Sequence, residues 1–184
     1  MNRVVMRSIL LAAALVSMAL PALATQIILE SPRQLAKDSA LIVDGKVSGV
    51  RSYWNDDHSK ILTETTVAVG STHKGASASS VRVLQLGGVV GNVRQTAHGA
   101  LVWKRGEEVL LFLEPSSPGT YQVAGFSQGK YTIERDPRTG RAFVQQAMPA
   151  DGNTNAPATT SGGQSSRDEK VSLEQFLNQV LPKK

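Results

Sequence analysis

The chain of 184 residues contains no cysteine. That excludes disulfides, thiol nucleophiles and thiolate metal sites, so any fold must rest on apolar burial and backbone hydrogen bonding. Histidine is nearly as scarce, with His58, His73 and His98 the full complement. No H-x-x-x-H spacing occurs among them, so the helical zinc pair is excluded. The densest group of potential ligands, Asp56-Asp57-His58, reads as a solvated polar turn, and neither a metal nor a cofactor is expected. Basic residues are scattered along the chain in runs of no more than two and form no stripe, which argues against a nucleic-acid partner. One long apolar run is present, and it lies at the N-terminus.

That run has the three parts of an export signal in order. Arg3 and Arg7 supply the positive start, Ile9 to Leu20 the apolar stretch, and Pro21 breaks the helix. Ala22-Leu23-Ala24 then offers a small-x-small site, placing cleavage before Thr25. The apolar stretch is short for a bilayer span, and no second one follows. With no cysteine at the junction, no lipid can be attached there. Residues 1–24 therefore predict an exported protein, periplasmic or extracellular, with no membrane span after cleavage. Loss of the two arginines leaves 18 basic against 15 acidic residues and lowers the net charge from +5 to +3. The remainder is long enough for one domain with its own core.

A barrel domain is expected over residues 25–148. Ser31-Pro32-Arg33-Gln34 reads as a helix start: Ser31 caps, Pro32 suits the first helical position and Gln34 completes a capping box. Leu35 and Ala36 would face inward, and the helix would end near Ser39. The period then becomes two. Leu41, Val43, Gly45 and Val47 share one strand face, and Gly45 and Gly49 are the positions for a bulge or bend. Asn55 to Ser59 is a polar turn. Ile61, Thr63, Thr65, Val67 and Val69 form one face of the next strand. Val81 to Leu86 is a third, closed by Gly87-Gly88, and residues 91–104 read as a long loop with an embedded strand or turn. Val109 to Leu113 is apolar on both faces and should be the most buried strand. Tyr121 to Phe126 and Lys130 to Arg135 read as strands, and Asp136-Pro137-Arg138-Thr139-Gly140 as the tight turn leading to Phe143 and Val144.

Residues 149–170 carry no large apolar side chain and read as a flexible linker. Residues 171–184 hold an amphipathic helix, capped by Ser172, displaying Leu173, Phe176, Leu177 and Val180, and stopped by Pro182. It is too short to persist alone, so it should dock on the barrel or on a partner. Short strands with helices only at the termini predict a mostly β fold, a small Greek-key barrel.

Gly125-Phe126-Ser127-Gln128-Gly129 matches the G-x-S-x-G pattern of serine hydrolases. That chemistry needs a strand-to-helix turn and a later histidine. Here Lys130 to Ile133 reads as strand and every histidine precedes Ser127, so a glycine-cornered β-turn is the expectation. The run Gly125 to Lys130 is one residue short of a phosphate loop, and Tyr131 replaces the hydroxyl residue such a loop needs. Gly87-Gly88-Val89-Val90-Gly91 is the most unusual local composition. It reads as a bulge or crossover, or as a flexible lip letting a partner approach closely. Tyr53, Trp54, Trp103, Phe126 and Tyr131 are candidates for an aromatic face, with core filling the default.

The order Val43-x-Gly45-x-Val47, Thr63-x-Thr65, His73-Lys74-Gly75, Gly87-Gly88, Gly106-Glu107, Leu110-Leu111-Phe112-Leu113 and Gln128-Gly129-Lys130 resembles a family of exported bacterial β-domains. The resemblance covers roughly residues 35–135 and attaches no reaction to the chain. More distantly, the layout is similar to the netrin-like barrel, the oligonucleotide/oligosaccharide-binding (OB) type of fold found in tissue inhibitors of metalloproteinases. This resemblance implies a partner-binding barrel, with a protease-directed role as the alternative. Those inhibitors ligate the protease zinc through a disulfide-fixed N-terminal cysteine. With no cysteine here, no inhibitory residue carries over. The β-barrel pattern, the incomplete catalytic motifs and the unpartnered C-terminal helix point to a non-catalytic exported module that binds a protein or cell-envelope component.

Overall fold

The computed structural model describes residues 29–147 and 171–181. The segments expected to be an export signal (residues 1–24) and a linker (residues 149–170), and the expected helix stop at Pro182, lie outside them. Helix α1 (Pro32–Asp38) comes first, with the Ser31 hydroxyl accepting from Gln34 N at 3.2 Å. Gln34 does not complete the box, because its side-chain amide donates to Asp38 one turn on. Leu35 and Ala36 are buried.

Two 14-residue strands follow, β1 (Leu41–Trp54) and β2 (Ile61–Lys74), paired antiparallel along almost their whole length. The ladder carries β2 five residues beyond the apolar alternation that ended at Val69. Register shifts occur between Asp44 and Gly45 and between Val47 and Gly49, so the strand bends at both glycines. At Gly45 even a Cβ would collide with the Ala68 carbonyl oxygen. The bend lets one strand serve two partners: β1 pairs with β2 and, over Leu41 to Lys46, with β6 (Glu108–Ser117).

The remaining barrel strands are β3 (Ser80–Leu86) and β7 (Thr120–Val123). β2 pairs with β3, β3 runs parallel to β7 at Val83 and Tyr121, β7 pairs with β6, and β6 returns to β1. Five strands therefore close into a ring with OB-type Greek-key connectivity. Two short strands, β4 (Gly88–Val90) and β5 (Val93–Gln95), form a separate ribbon between β3 and β6. The sheet continues outward from β6 through β8 (Lys130–Arg135), β9 (Ala142–Gln146) and β10 (Val171–Ser172), and helix α2 (Leu173–Val180) ends the described chain.

The fold has two cores that share β6. Val109, Leu111 and Leu113 point into the barrel with Val43, Val47 and Val67. Leu110 and Phe112 point outward into a second core with Leu35, Ile42, Tyr131, Phe176 and Val180. Every one of Val109 to Leu113 is fully buried, as expected of a run apolar on both faces. Ile42, expected opposite the apolar face, is equally buried because β1 also borders the second core.

In that second core Phe112, Tyr131 and Phe176 form an aromatic triad with centroid separations of 4.8 to 6.3 Å. Helix α2 therefore docks on its own barrel. The turn from Asp136 to Gly140 forms as its sequence predicts, with the Asp136 carboxylate accepting from Arg138 N and Thr139 N and Gly140 at φ 69°.

Candidate functional site

β3 leaves the barrel at Leu86, and β7, running parallel to it, leaves at Val123 toward the same end. The ribbon, the loop of residues 96–107 and the turn of residues 124–129 therefore gather at one rim. The Gly87 to Gly91 stretch is neither a bulge nor a crossover: Gly88 to Val90 is one arm of a hairpin whose turn opens with Gly91 at φ 57°. Its base is seated tightly. Gly87 N donates to Ile61 O at 2.8 Å, and the Thr63 hydroxyl donates to Gly87 O at 2.6 Å. A Cβ on Gly88 would strike the Thr63 and Ser52 hydroxyls, and one on Gly87 would lie 2.8 Å from the Gln95 carbonyl oxygen, which is the physical reason for the glycine pair. From the other arm, Gln95 Oε1 accepts from Ile61 N at 2.5 Å. Only the tip is free, and it displays Val89 and Val93 to solvent beside the exposed Leu86, while Val90 is half-buried.

β7 is short and leaves a gap in the barrel wall between β3 and β6, which the loop of residues 96–107 fills. The Gln85 side chain treats this loop as a neighbouring strand. Its amide donates to Leu101 O at 2.9 Å, and its oxygen accepts from Leu101 N and Trp103 Nε1. Leu101 enters the barrel core. From the opposite side comes Lys130, only 2% exposed, donating to Val102 O at 2.6 Å and to Glu107 Oε1 at 2.5 Å. The Trp103 ring lies over its ammonium group at 4.3 Å. Burial lowers the Lys130 pKa, and the Glu107 carboxylate opposes that shift. The pairing leaves one trace in the sequence, the co-occurrence of Gly106-Glu107 with Gln128-Gly129-Lys130 in the resemblance pattern.

The predicted strand over Tyr121 to Phe126 stops at Val123, because Gly125 and Phe126 both take positive φ, 59° and 63°. The chain turns there, Gly129 N donating back to Ala124 O and Phe112 N donating to Gly129 O, and enters β8 at Lys130. The strand–turn–helix elbow that would activate Ser127 is not formed. The lysine of the near phosphate loop is committed to Glu107. Phe126 stands out from this turn, 73% exposed.

The other candidates are held apart. Trp54 stacks on His58, Arg51 lies over Tyr53, and Tyr131 is in the second core, so the five aromatics form no common face. Asp57 accepts from the Ser59 amide and hydroxyl, and these bonds hold its pKa below the usual carboxylate range. His73 Nε2 lies 2.7 Å from Asp44 Oδ2 on the barrel wall. Among the described residues no group of three His, Asp or Glu side chains is disposed to hold a metal. Phe176 and Val180 are buried, and Leu173 and Leu177 pack against the same core, so the expected docking residues of α2 are engaged within the chain. Lys74 donates to Ala36 O and Lys37 O, tying β2 to the end of α1. The motifs that carry the resemblance thus have packing and hydrogen-bonding roles. No known protein family matches the chain, and neither does any curated protein. No helix among the described residues is long and apolar enough to cross a membrane.

Proposed function

We propose that this is an exported, non-catalytic binding module that recognises a protein or cell-envelope component through the barrel rim. The observation that carries the reading is the hairpin tip. A bonded, glycine-seated base holds Val89 and Val93 out in water, with Leu86 at its foot, and an exposed apolar group of this kind on a small domain marks an interaction surface. The polar groups that resembled chemistry support the same reading. Ser127 lacks an elbow, Lys130 is sequestered, and His73 is occupied by Asp44.

The test is affinity capture from periplasm or culture fluid with the chain beginning at Thr25. A protein or envelope fragment retained by that chain and lost with Val89→Asp/Val93→Asp is the expected result. Retention identical in both chains ends the rim reading. An active-serine probe should leave the folded protein unlabelled, and labelling abolished by Ser127→Ala would replace the binding reading with a hydrolase.

A further inference from the structure

Three chain segments bring an exposed apolar side chain to the flank of the rim beside the loop of residues 96–107. Phe126 stands on the turn after β7, and the Cα of Gly99 underlies it, since a Cβ built there would lie 3.7 Å from the Phe126 Cβ. Leu29, 73% exposed, is carried by Glu30, whose backbone N donates to Gln128 Oε1 in the same turn. Val102, 51% exposed, is fixed through its carbonyl by Lys130. A bulky residue at positive φ is strained. At Phe126 that strain holds a phenyl ring in water, where it contributes nothing to either core.

The charge around these groups is mainly positive. Lys104 and Arg105 follow Val102 and are exposed, with no ion-pair partner among the described residues. The chain has no acidic residue between Glu64 and Glu107, and none between Glu114 and Glu134. Of the carboxylates that the described residues bring to this flank, Glu107 is consumed by Lys130, and Glu30 lies beside Leu29. The patch consists of loop tips contributed by three separate segments. Scattered apolar tips flanked by cations suit a fluid surface that yields to them and carries negative charge.

We infer that this flank of the rim, with Phe126, Val102 and Leu29 as apolar tips and Lys104 and Arg105 as cations, docks on an anionic lipid surface. The inference deepens the proposed rim recognition and rests on it.

The chain beginning at Thr25 contains every element of both cores and lacks the apolar leader, so it can be tested alone. Sedimentation with vesicles of equal parts phosphatidylglycerol and phosphatidylcholine is compared with vesicles of phosphatidylcholine. Sedimentation with the anionic vesicles alone is expected, weakening with salt. Lys104→Gln/Arg105→Gln should lower partitioning roughly 25-fold, about fivefold for each cation. Phe126→Asn keeps a residue tolerant of the left-handed conformation, and loss of the ring should lower partitioning by about tenfold or more. An unchanged melting temperature in each variant separates lost docking from lost fold. No sedimentation with anionic vesicles, or sedimentation indifferent to both variants, overturns the inference. If the vesicles are ignored while a protein still depends on Val89 and Val93 for capture, the lipid assignment fails and the rim reading stands. If neither depends on the rim, both fall.

Discussion

Lys130 Nζ and Glu107 Oε1 lie 2.5 Å apart at the gap that β7 leaves in the barrel wall, and the lysine is withdrawn from solvent while the carboxylate keeps 14% of its surface. Removing one member of such a pair is costly when the other stays buried and charged. The two members are not equivalent. Glu107→Ala strands the ammonium group and should cost about 3 kcal/mol. Lys130→Met leaves a carboxylate that water can reach and supplies an apolar stem beneath Trp103, so its cost should stay below about 1.5 kcal/mol. Chemical denaturation of both variants checks the order, and equal losses would show that the pair acts only through its volume.

Tyr131 makes the fold sensitive to alkali. Its hydroxyl is buried with no hydrogen-bond partner among the described residues, and burial pushes its pKa up to about 12 from 10.0. The unfolded chain loses this proton first, so stability should fall as pH rises from 10 toward 12 and be unaffected by this group below that range. Tyr131→Phe should remove that slope. At neutral pH it should be neutral or more stable by about 1 kcal/mol, since an unsatisfied hydroxyl is gone. Melting temperatures of both chains against pH decide it.

Gly45 and Gly49 should respond unequally to a methyl group. At Gly45 the new Cβ meets the Ala68 carbonyl and lies 2.9 Å from Val67 Cγ1, so Gly45→Ala should cost about 1 to 3 kcal/mol. At Gly49 the nearest atom is Thr66 Cβ at 4.0 Å, and Gly49→Ala should fall within about 0.5 kcal/mol of the parent. Urea midpoints measure the contrast. A mild Gly45→Ala would mean that β1 and β2 do not cross as closely there.

β6 and α2 should differ in the kind of damage they transmit. Leu111→Asp puts an unpaired carboxylate between the strands of the barrel and should abolish cooperative folding, because that cost is on the order of the whole stability. Phe176→Ala leaves a cavity beside Phe112 and Tyr131 and should cost about 3 to 5 kcal/mol while the barrel still folds. Near-ultraviolet circular dichroism with thermal melts separates the two outcomes. A soluble, cooperatively melting Leu111→Asp chain would contradict the burial of β6.

Features set by local chemistry were legible in the sequence. The Ser31 cap, the turn at Asp136 to Gly140, the two-faced run from Val109 to Leu113 and the amphipathic stripe of α2 each follow from neighbours a few residues apart. Features set by distant contacts were not. Ile42 alternates as a surface residue but is covered by α1 and α2. Phe126 extends a strand-like run, yet Gly125 turns the chain beneath it. The Gly87-Gly88 pair was conspicuous, while the reasons for it, the Gln95 carbonyl against Gly87 and the Thr63 and Ser52 hydroxyls against Gly88, lie on other strands. Lys130 looks like any strand-edge lysine until Glu107 and Trp103 are brought to it by the loop of residues 96–107. The rim was legible only as composition, because three segments far apart in sequence build it.

The second core is completed from the far end of the chain. β6 and β8 present Phe112 and Tyr131 long before Phe176 is synthesised, so an elongating polypeptide carries a bare aromatic surface until α2 arrives. A stop codon placed just before residue 173 should yield a sticky, short-lived product even though every barrel strand has been made.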